Sequence, residues 1–90
     1  MHKLLYTNEA KKNIAKLNGR MKLKVKEALE NIAKDPALGK PLTRELKGRW
    51  SYRVGDYRII YRIYDAEVVV LILTIGHRKE VYSRIARKGW

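Results

Sequence analysis

The chain has 90 residues, no cysteine and a formal net charge of +12, which indicate one domain spanning residues 1–90 and exclude disulfide and thiolate sites. Twenty-one Lys and Arg against nine Asp and Glu favour a polyanionic partner, most often nucleic acid. Two alternatives give the same composition: the charge serves only solubility, or an acidic protein partner covers it. The longest apolar run, Val68 to Leu73, is far below the roughly 20 residues of a membrane helix, so we expect a cytoplasmic protein without a membrane partner.

The N-terminal part of the chain predicts one strand and two helices. The segment HKLLYT, residues 2–7, has the character of a short strand, and Thr7 or Asn8 can cap the helix that follows. Apolar residues at helical spacing predict a second helix over residues 20–34. This helix ends at Asp35-Pro36, because the residue before a proline avoids the helical region.

Residues 37–49 predict a loop, because few apolar positions recur there. Three strands follow, over Trp50 to Val54, Tyr57 to Asp65 and Val68 to Ile75. The last is apolar on both faces and is therefore expected at the centre of the sheet. The tail from Lys79 predicts a short helix or turn. The expected fold is α+β, in the order β-α-α-β-β-β, with two N-terminal helices packed on one face of a small, mostly antiparallel twisted sheet and the other face partly open.

Strand alternation gathers arginines on that open face. Side chains point alternately to the two faces of a strand, so Arg58 and Arg62 share one face. The tight turn at Gly55-Asp56 makes Arg53 a cross-strand neighbour of Arg58, and Arg78 follows the end of the last strand. Any one of these arginines taken alone is expected simply to face solvent. Several guanidinium groups brought together indicate an anionic ligand.

The order of elements, the segment GDYRIIYRI and the closing IGHRKEVY together resemble the RelE/ParE superfamily of toxins from toxin–antitoxin pairs. The resemblance covers essentially the whole chain and is strongest from Leu46 to Tyr82. HRKEVY favours the RelE side, whose members cleave messenger RNA in the ribosomal A site. The ParE side poisons DNA gyrase on a similar fold, and an inactive relative that only binds an antitoxin is a third possibility.

The RelE resemblance implies a metal-independent endoribonuclease without a cofactor. The ribose 2′-hydroxyl attacks the adjacent phosphate, which requires a base, positive charge on the phosphorane and an acid for the leaving 5′ oxygen. By the same resemblance, Arg58 stabilises the phosphorane and Arg78 holds the phosphate or assists the leaving group. Tyr82 stacks on a base or orients the 2′-hydroxyl, and Arg53 is the basic residue of the preceding strand.

The identity of the base departs from the RelE pattern. Well-understood members place two lysines on the strand that here carries Arg53, and a guanidinium is a poor base because its pKa lies above about 12. His77 is the natural substitute, since imidazole titrates near neutral pH. It can equally hydrogen-bond a backbone group, and alternation predicts that His77 and Arg78 point apart. A site completed by the ribosome needs no conventional base at all.

The resemblance also implies macromolecular partners. These are messenger RNA, the 70S ribosome with its ribosomal RNA, and a cognate antitoxin that wraps the toxin with a partly acidic segment and carries the DNA-binding module. The residues expected to contact RNA are Lys40, Arg44, Lys47, Arg49, Arg62, Lys79 and Arg84. Each neutralised phosphate adds about −0.7 to −0.9 to the salt dependence of binding.

Overall fold

The computed structural model describes all 90 residues and has a five-stranded sheet with helices on both faces. In chain order the elements are β1 (Lys3–Tyr6), α1 (Asn8–Lys16), α2 (Gly19–Lys34), β2 (Lys40–Pro41), β3 (Trp50–Val54), β4 (Tyr57–Tyr64), β5 (Val69–His77) and α3 (Arg78–Lys88). The strand order is β1-β5-β4-β3-β2, with β1 parallel to β5 and every other neighbouring pair antiparallel. The predicted α+β class and mostly antiparallel sheet are confirmed. None of the helices is both long and apolar enough to cross a membrane.

The predicted loop over residues 37–49 is wrong in one respect, because it contains the short strand β2. Lys40 pairs with Ser51 and Pro41 pairs with Trp50, so the sheet has five strands where four were predicted. Two residues are too few to show the alternation that identifies a strand in a sequence. The final strand also runs two residues further than predicted, since β4 pairs with β5 as far as His77.

The two N-terminal helices begin at the caps that their sequences offer. The backbone N–H of Ala10 donates to Thr7 Oγ1 at 3.0 Å, and that of Met21 donates to Asn18 Oδ1 at 2.9 Å. Both helices cover the sheet face that carries Ile59 and Tyr61, as strand alternation predicted. The core beneath them consists of Ala10, Val25, Ala28, Leu29, Ile32, Val54, Ile59, Tyr61, Val70, Ile72 and Ile75.

The C-terminal tail is a full helix, α3, which packs on the face that was expected to be partly open. Val81 and Ile85 of α3 are buried against Ile60 of β4 and Leu73 of β5. Each such side chain contributes about 1.5–3 kcal/mol through loss of apolar surface from water. β5 is therefore covered on both faces. It is an interior strand, as its apolar sequence indicates, but it lies second in the strand order, and β4 is at the centre of the sheet. Because α3 lies mainly over β4 and β5, the face of β2 and β3 stays open beside it.

Candidate active site

A pocket of about 300 Å³ lies between α3 and the part of the sheet that α3 does not cover. We call it the basic pocket. The side chains that line it are Lys40 of β2, Ser51 and Arg53 of β3, Arg58 of β4 and Tyr82 of α3. Strand register explains how residues so far apart in sequence meet. Lys40 is paired with Ser51 and Arg53 is paired with Arg58, and paired residues of antiparallel strands point to the same face of the sheet.

Both arginines of the basic pocket are fixed by backbone carbonyls rather than by carboxylates. Arg58 Nη1 donates to the carbonyl oxygens of Tyr57 at 3.0 Å and of Gly55 at 3.2 Å, and Arg53 Nε donates to Gly55 at 3.4 Å. The three ion pairs of the chain are His2–Asp65, Glu80–Arg84 and Glu9–Lys88. No acidic side chain therefore neutralises Arg53 or Arg58, and their charge is available to an anion.

Tyr82 and Ser51 form the side of the basic pocket that lies nearest α3. The Tyr82 hydroxyl lies 3.4 Å from Ser51 Oγ, and the tyrosine stays 36% exposed while the serine is buried. An exposed aromatic ring beside two guanidinium groups can stack on a nucleic-acid base. Ser51 was not among the predicted site residues, although alternation along β3 already placed it on the same face as Arg53.

Arg78 is not among the residues that line the basic pocket. It is the first residue of α3, and its backbone N–H donates to the carbonyl oxygen of Asp56 at 2.9 Å. This bond ties the start of the helix to the β3–β4 turn. Because residues four apart lie on one face of a helix, Arg78 shares a face with Tyr82. The structure thus brings Arg53, Arg58 and Tyr82 together and leaves Arg78 at the edge.

His77 lies on the other face of the sheet. Its partner across the β4–β5 ladder is Tyr57, which packs against the core beneath α1 and α2, and the two rings meet edge to face at 6.4 Å. His77 Nδ1 accepts the backbone N–H of Lys79 at 3.3 Å and so caps α3. Since Nδ1 is an acceptor, the neutral ring carries its proton on Nε2. This geometry fits the structural interpretation of His77 and not contact with a phosphate held by Arg58.

Residues 4–82 match the family model described as "ParE toxin of type II toxin-antitoxin system, parDE". The chain belongs to this toxin family. It is 41% identical to Toxin RelG of Mycobacterium tuberculosis over 81 residues, covering 88% of this chain and 93% of the relative. It is 28% identical to the mRNA interferase toxin RelE of Escherichia coli over 87 residues, covering 92% of each.

A solved structure agrees with this assignment. A chain in the toxin–antitoxin complex RelBE2 from Mycobacterium tuberculosis is 38% identical to this toxin, with a TM-score of 0.78 and coverage of 88% of this chain and 93% of that one. The predicted membership of the RelE/ParE superfamily is confirmed. The toxin therefore shares both sequence and fold with proteins of type II toxin–antitoxin systems.

Arg84 of the toxin is occupied elsewhere, in a polar cluster that we call the Arg84 network. It consists of Glu9, Asn13, Thr74, Glu80 and Arg84. Arg84 Nη2 donates to Glu80 Oε2 at 2.9 Å, and Nη1 donates to Thr74 Oγ1 at 3.3 Å. The buried Thr74 hydroxyl in turn donates to Glu9 Oε2 at 2.8 Å. The structure thus places Arg84 outside the basic pocket, on the side of β5 that faces α1.

Two further predicted RNA contacts of the toxin, Arg49 and Arg62, meet at the end of α3. Arg49 Nε donates to the carbonyl oxygen of Trp90, and Arg62 Nη2 donates to the same atom at 3.3 Å. Loss of solvation, together with the neighbouring Arg62 charge, lowers the pKa of Arg49 from its ordinary value. The remaining predicted contacts outside the basic pocket are all exposed: Arg44, Lys47 and Lys79.

Proposed function

We propose that this toxin is a ribosome-dependent, metal-independent endoribonuclease, which cleaves messenger RNA in the A site through attack of the ribose 2′-hydroxyl on the adjacent phosphate. The observation that carries the proposal is the basic pocket, where Arg53 and Arg58 meet Tyr82 without any carboxylate. Negative charge develops on the phosphorane during this reaction, and fixed cations stabilise it. The similarity to a relative named as an mRNA interferase supports the same activity.

We propose a role for each residue of the site that its position supports. Arg58 is held by two backbone carbonyls, so its guanidinium is already oriented before the phosphate arrives and stabilises the phosphorane. Arg53, its cross-strand partner, adds a second charge on the same oxygens. Tyr82 stacks on the base or orients the 2′-hydroxyl. Arg78, one helical turn before Tyr82, holds the phosphate at the end of the basic pocket.

The ribosome and an antitoxin are the partners that we infer. A net charge of +12 favours ribosomal RNA, and exposed residues such as Arg44, Lys47 and Lys79 would neutralise its phosphates. We therefore also propose that the toxin acts in the cytoplasm. The similar RelBE2 chain comes from a toxin–antitoxin complex, and a basic toxin suits a partly acidic, folding-upon-binding antitoxin.

A second candidate function is inhibition of DNA gyrase. It is favoured by the matching family model, which is described by the ParE name. Such a toxin would act by binding, with no cleavage of RNA. The two functions differ in their first consequence, which is broken messenger in one case and broken DNA in the other.

A purified translation system with a defined messenger tests the proposed function. We expect the toxin to produce new 5′ ends within A-site codons, mapped by primer extension, and to leave naked messenger intact. A messenger that carries a 2′-deoxy nucleotide at the mapped position should stay uncut, because the attacking oxygen is absent. Intact messenger in the presence of translating ribosomes, together with gyrase-dependent DNA breakage, would favour the second function instead. Cleavage at the 2′-deoxy position would contradict the mechanism.

A further inference from the structure

The proposed cleavage needs a group that accepts the proton of the 2′-hydroxyl, and the basic pocket offers few. Arg53 and Arg58 cannot accept it, because a guanidinium keeps its proton up to a pH of about 12 or more. His77 lies on the other face of the sheet, where its Nδ1 caps α3. Lys40 and Tyr82 are the two remaining ionisable side chains that line the basic pocket.

The position of Tyr82 suits stacking on a base of the RNA better than accepting a proton. Its hydroxyl lies beside Ser51 Oγ, and its ring is exposed at the mouth of the pocket, where a base of the RNA would stack. Lys40, by contrast, has no carboxylate within 4 Å, so its amine is not committed to an ion pair. Lysine also serves as a general base in other enzymes, because a compact amine can act in its neutral form.

The short strand β2 fixes Lys40 beside the arginines. Pairing of Lys40 with Ser51 sets its direction, and the backbone N–H of Leu42 donates to the carbonyl oxygen of Arg49 at 2.9 Å to close the strand pair. Gly39 allows this close approach. A Cβ at that position would meet the Tyr61 hydroxyl and would lie 2.9 Å from the Ser51 carbonyl oxygen. A larger residue at position 39 would therefore push β2, and Lys40 with it, away from the pocket.

We propose that Lys40 is the general base of the cleavage, an inference that rests on the proposed ribonuclease activity. The neutral Lys40 amine takes the proton of the 2′-hydroxyl, and the 2′ oxygen forms a bond to phosphorus. The bond from phosphorus to the 5′ oxygen then breaks, and its electron pair stays on that oxygen. The 5′ oxygen takes a proton from water, and the hydroxide that remains takes the proton from the Lys40 ammonium. The products are a 2′,3′-cyclic phosphate and a 5′-hydroxyl, with no net change in the enzyme.

Lys40→Arg separates a base from a phosphate clamp, because arginine keeps the positive charge but cannot accept a proton. We expect the single-turnover rate of cleavage on programmed ribosomes to fall about 10²- to 10⁴-fold in Lys40→Arg and in Lys40→Ala. The matched control is Lys12→Arg, an exposed lysine of α1 outside the basic pocket. Its cleavage rate should stay within about twofold of wild type, as is usual for changes on the surface. Thermal unfolding of each variant shows whether it is folded.

Two further readouts distinguish a base from a structural role. The rate for wild type should rise with pH over the range where the ribosome is stable, and Lys40→Ala should lose this dependence. Added ethylamine should restore part of the rate to Lys40→Ala and none to Arg58→Ala, since a free amine replaces a base but not a guanidinium.

The outcomes separate the failure of this inference from the failure of the proposed function. Wild-type cleavage that survives in Lys40→Arg would overturn the base role and leave the ribonuclease activity in place. Wild type without cleavage would overturn both. Cleavage that is lost in Lys40→Arg, while Lys12→Arg keeps it and ethylamine rescues Lys40→Ala, supports Lys40 as the base.

Discussion

The basic pocket and the Arg84 network lie on opposite sides of α3. They differ in whether a carboxylate neutralises the positive charge of their arginines. Tyr82 and Arg84 are two residues apart, which turns them about 200° from each other around the helix. On one side, Arg53 and Arg58 have only backbone carbonyls as partners. On the other side, Arg84 has the Glu80 carboxylate and the buried Thr74 hydroxyl.

This difference distinguishes the charges that stabilise the fold from the charges that are available to a ligand. A cation with a carboxylate and a hydroxyl as partners is satisfied within the chain, so its contribution is to stability. Cations gathered without a carboxylate repel one another, and a fold keeps such an arrangement where an anion is to be bound. The chain has no buried side-chain nitrogen or oxygen without a hydrogen-bond partner, and of the two arginines of the basic pocket Arg53 is exposed and Arg58 is half-buried.

Arg58→Ala should produce the largest effect, and only on activity. Loss of a fixed donor to the phosphorane is expected to lower the cleavage rate about 10²- to 10³-fold, equivalent to about 3–4 kcal/mol of transition-state stabilisation. The free energy of unfolding should change by less than about 0.5–1 kcal/mol, because only bonds to partly exposed carbonyls are lost. Single-turnover cleavage and urea unfolding measure the two quantities. A variant that unfolds readily but cleaves normally would reverse the assignment of this pocket.

Tyr61, in the core on the sheet face covered by α1 and α2, should contribute through stability. Burial raises the pKa of Tyr61 to about 12 from its ordinary value of 10.0, and its hydroxyl donates to the Pro36 carbonyl oxygen at 2.6 Å. The folded protein therefore holds this proton more tightly than the unfolded chain does. The resulting stability is fully present below pH 10 and is lost as the pH rises through about 12, by about 2–3 kcal/mol in all.

Urea unfolding of wild type and Tyr61→Phe at pH 9 and pH 12 isolates this contribution from the other titrating groups. The phenylalanine variant should be the less stable of the two at pH 9, by about 1–2 kcal/mol, because the Pro36 carbonyl loses its donor. Its stability should then fall less steeply towards pH 12. Equal slopes for the two proteins would show that burial does not perturb Tyr61.

Arg84→Ala should lower stability by about 1–2 kcal/mol and leave the cleavage rate per folded molecule unchanged. The change removes a charged hydrogen bond to the buried Thr74 hydroxyl together with an ion pair on the helix surface. Lys88→Ala is the control, since its pair with Glu9 is 3.8 Å long and the Lys88 side chain is exposed, and it should cost less than about 0.5 kcal/mol. A large loss of cleavage in well-folded Arg84→Ala would show that the Arg84 network takes part in RNA binding.

His77→Ala should have the smallest effect, a loss of about 1 kcal/mol from removal of the α3 cap. His77→Asn keeps a capping oxygen and should recover most of that loss. The cleavage rate of both variants should match wild type once the folded fraction is taken into account. If instead both variants lost cleavage about 100-fold while folded, His77 and not Lys40 would be the base.

The sequence predicts the arginine pair of the basic pocket because two local rules suffice. Alternation along a strand sets the face, and a tight turn sets which residues of the hairpin are opposite each other, so Arg53 and Arg58 are placed by residues 50–60 alone. The superfamily resemblance adds Tyr82 by its motif. These inferences need no knowledge of distant contacts.

The rest of the site depends on such contacts. Lys40 reaches the basic pocket only because the two-residue strand β2 pairs with β3, and two residues carry no periodic pattern. The role of His77 follows from α3 beginning at Arg78, one residue before the start that the sequence predicted. In the sequence, Arg84 follows Glu80 by four residues, a spacing at which an ion pair forms on a helix. Its contact with Thr74 depends instead on how α3 packs on β5.

The most direct test is to measure cleavage rate per folded molecule and free energy of unfolding for Arg58→Ala and Arg84→Ala in the same programmed-ribosome and urea assays. We predict that the two variants differ in opposite ways. Arg58→Ala loses activity with stability kept, and Arg84→Ala loses stability with activity kept. Two variants that lose activity and stability in the same proportion would contradict the division of this toxin into a charge-satisfied side and an RNA-cleaving side.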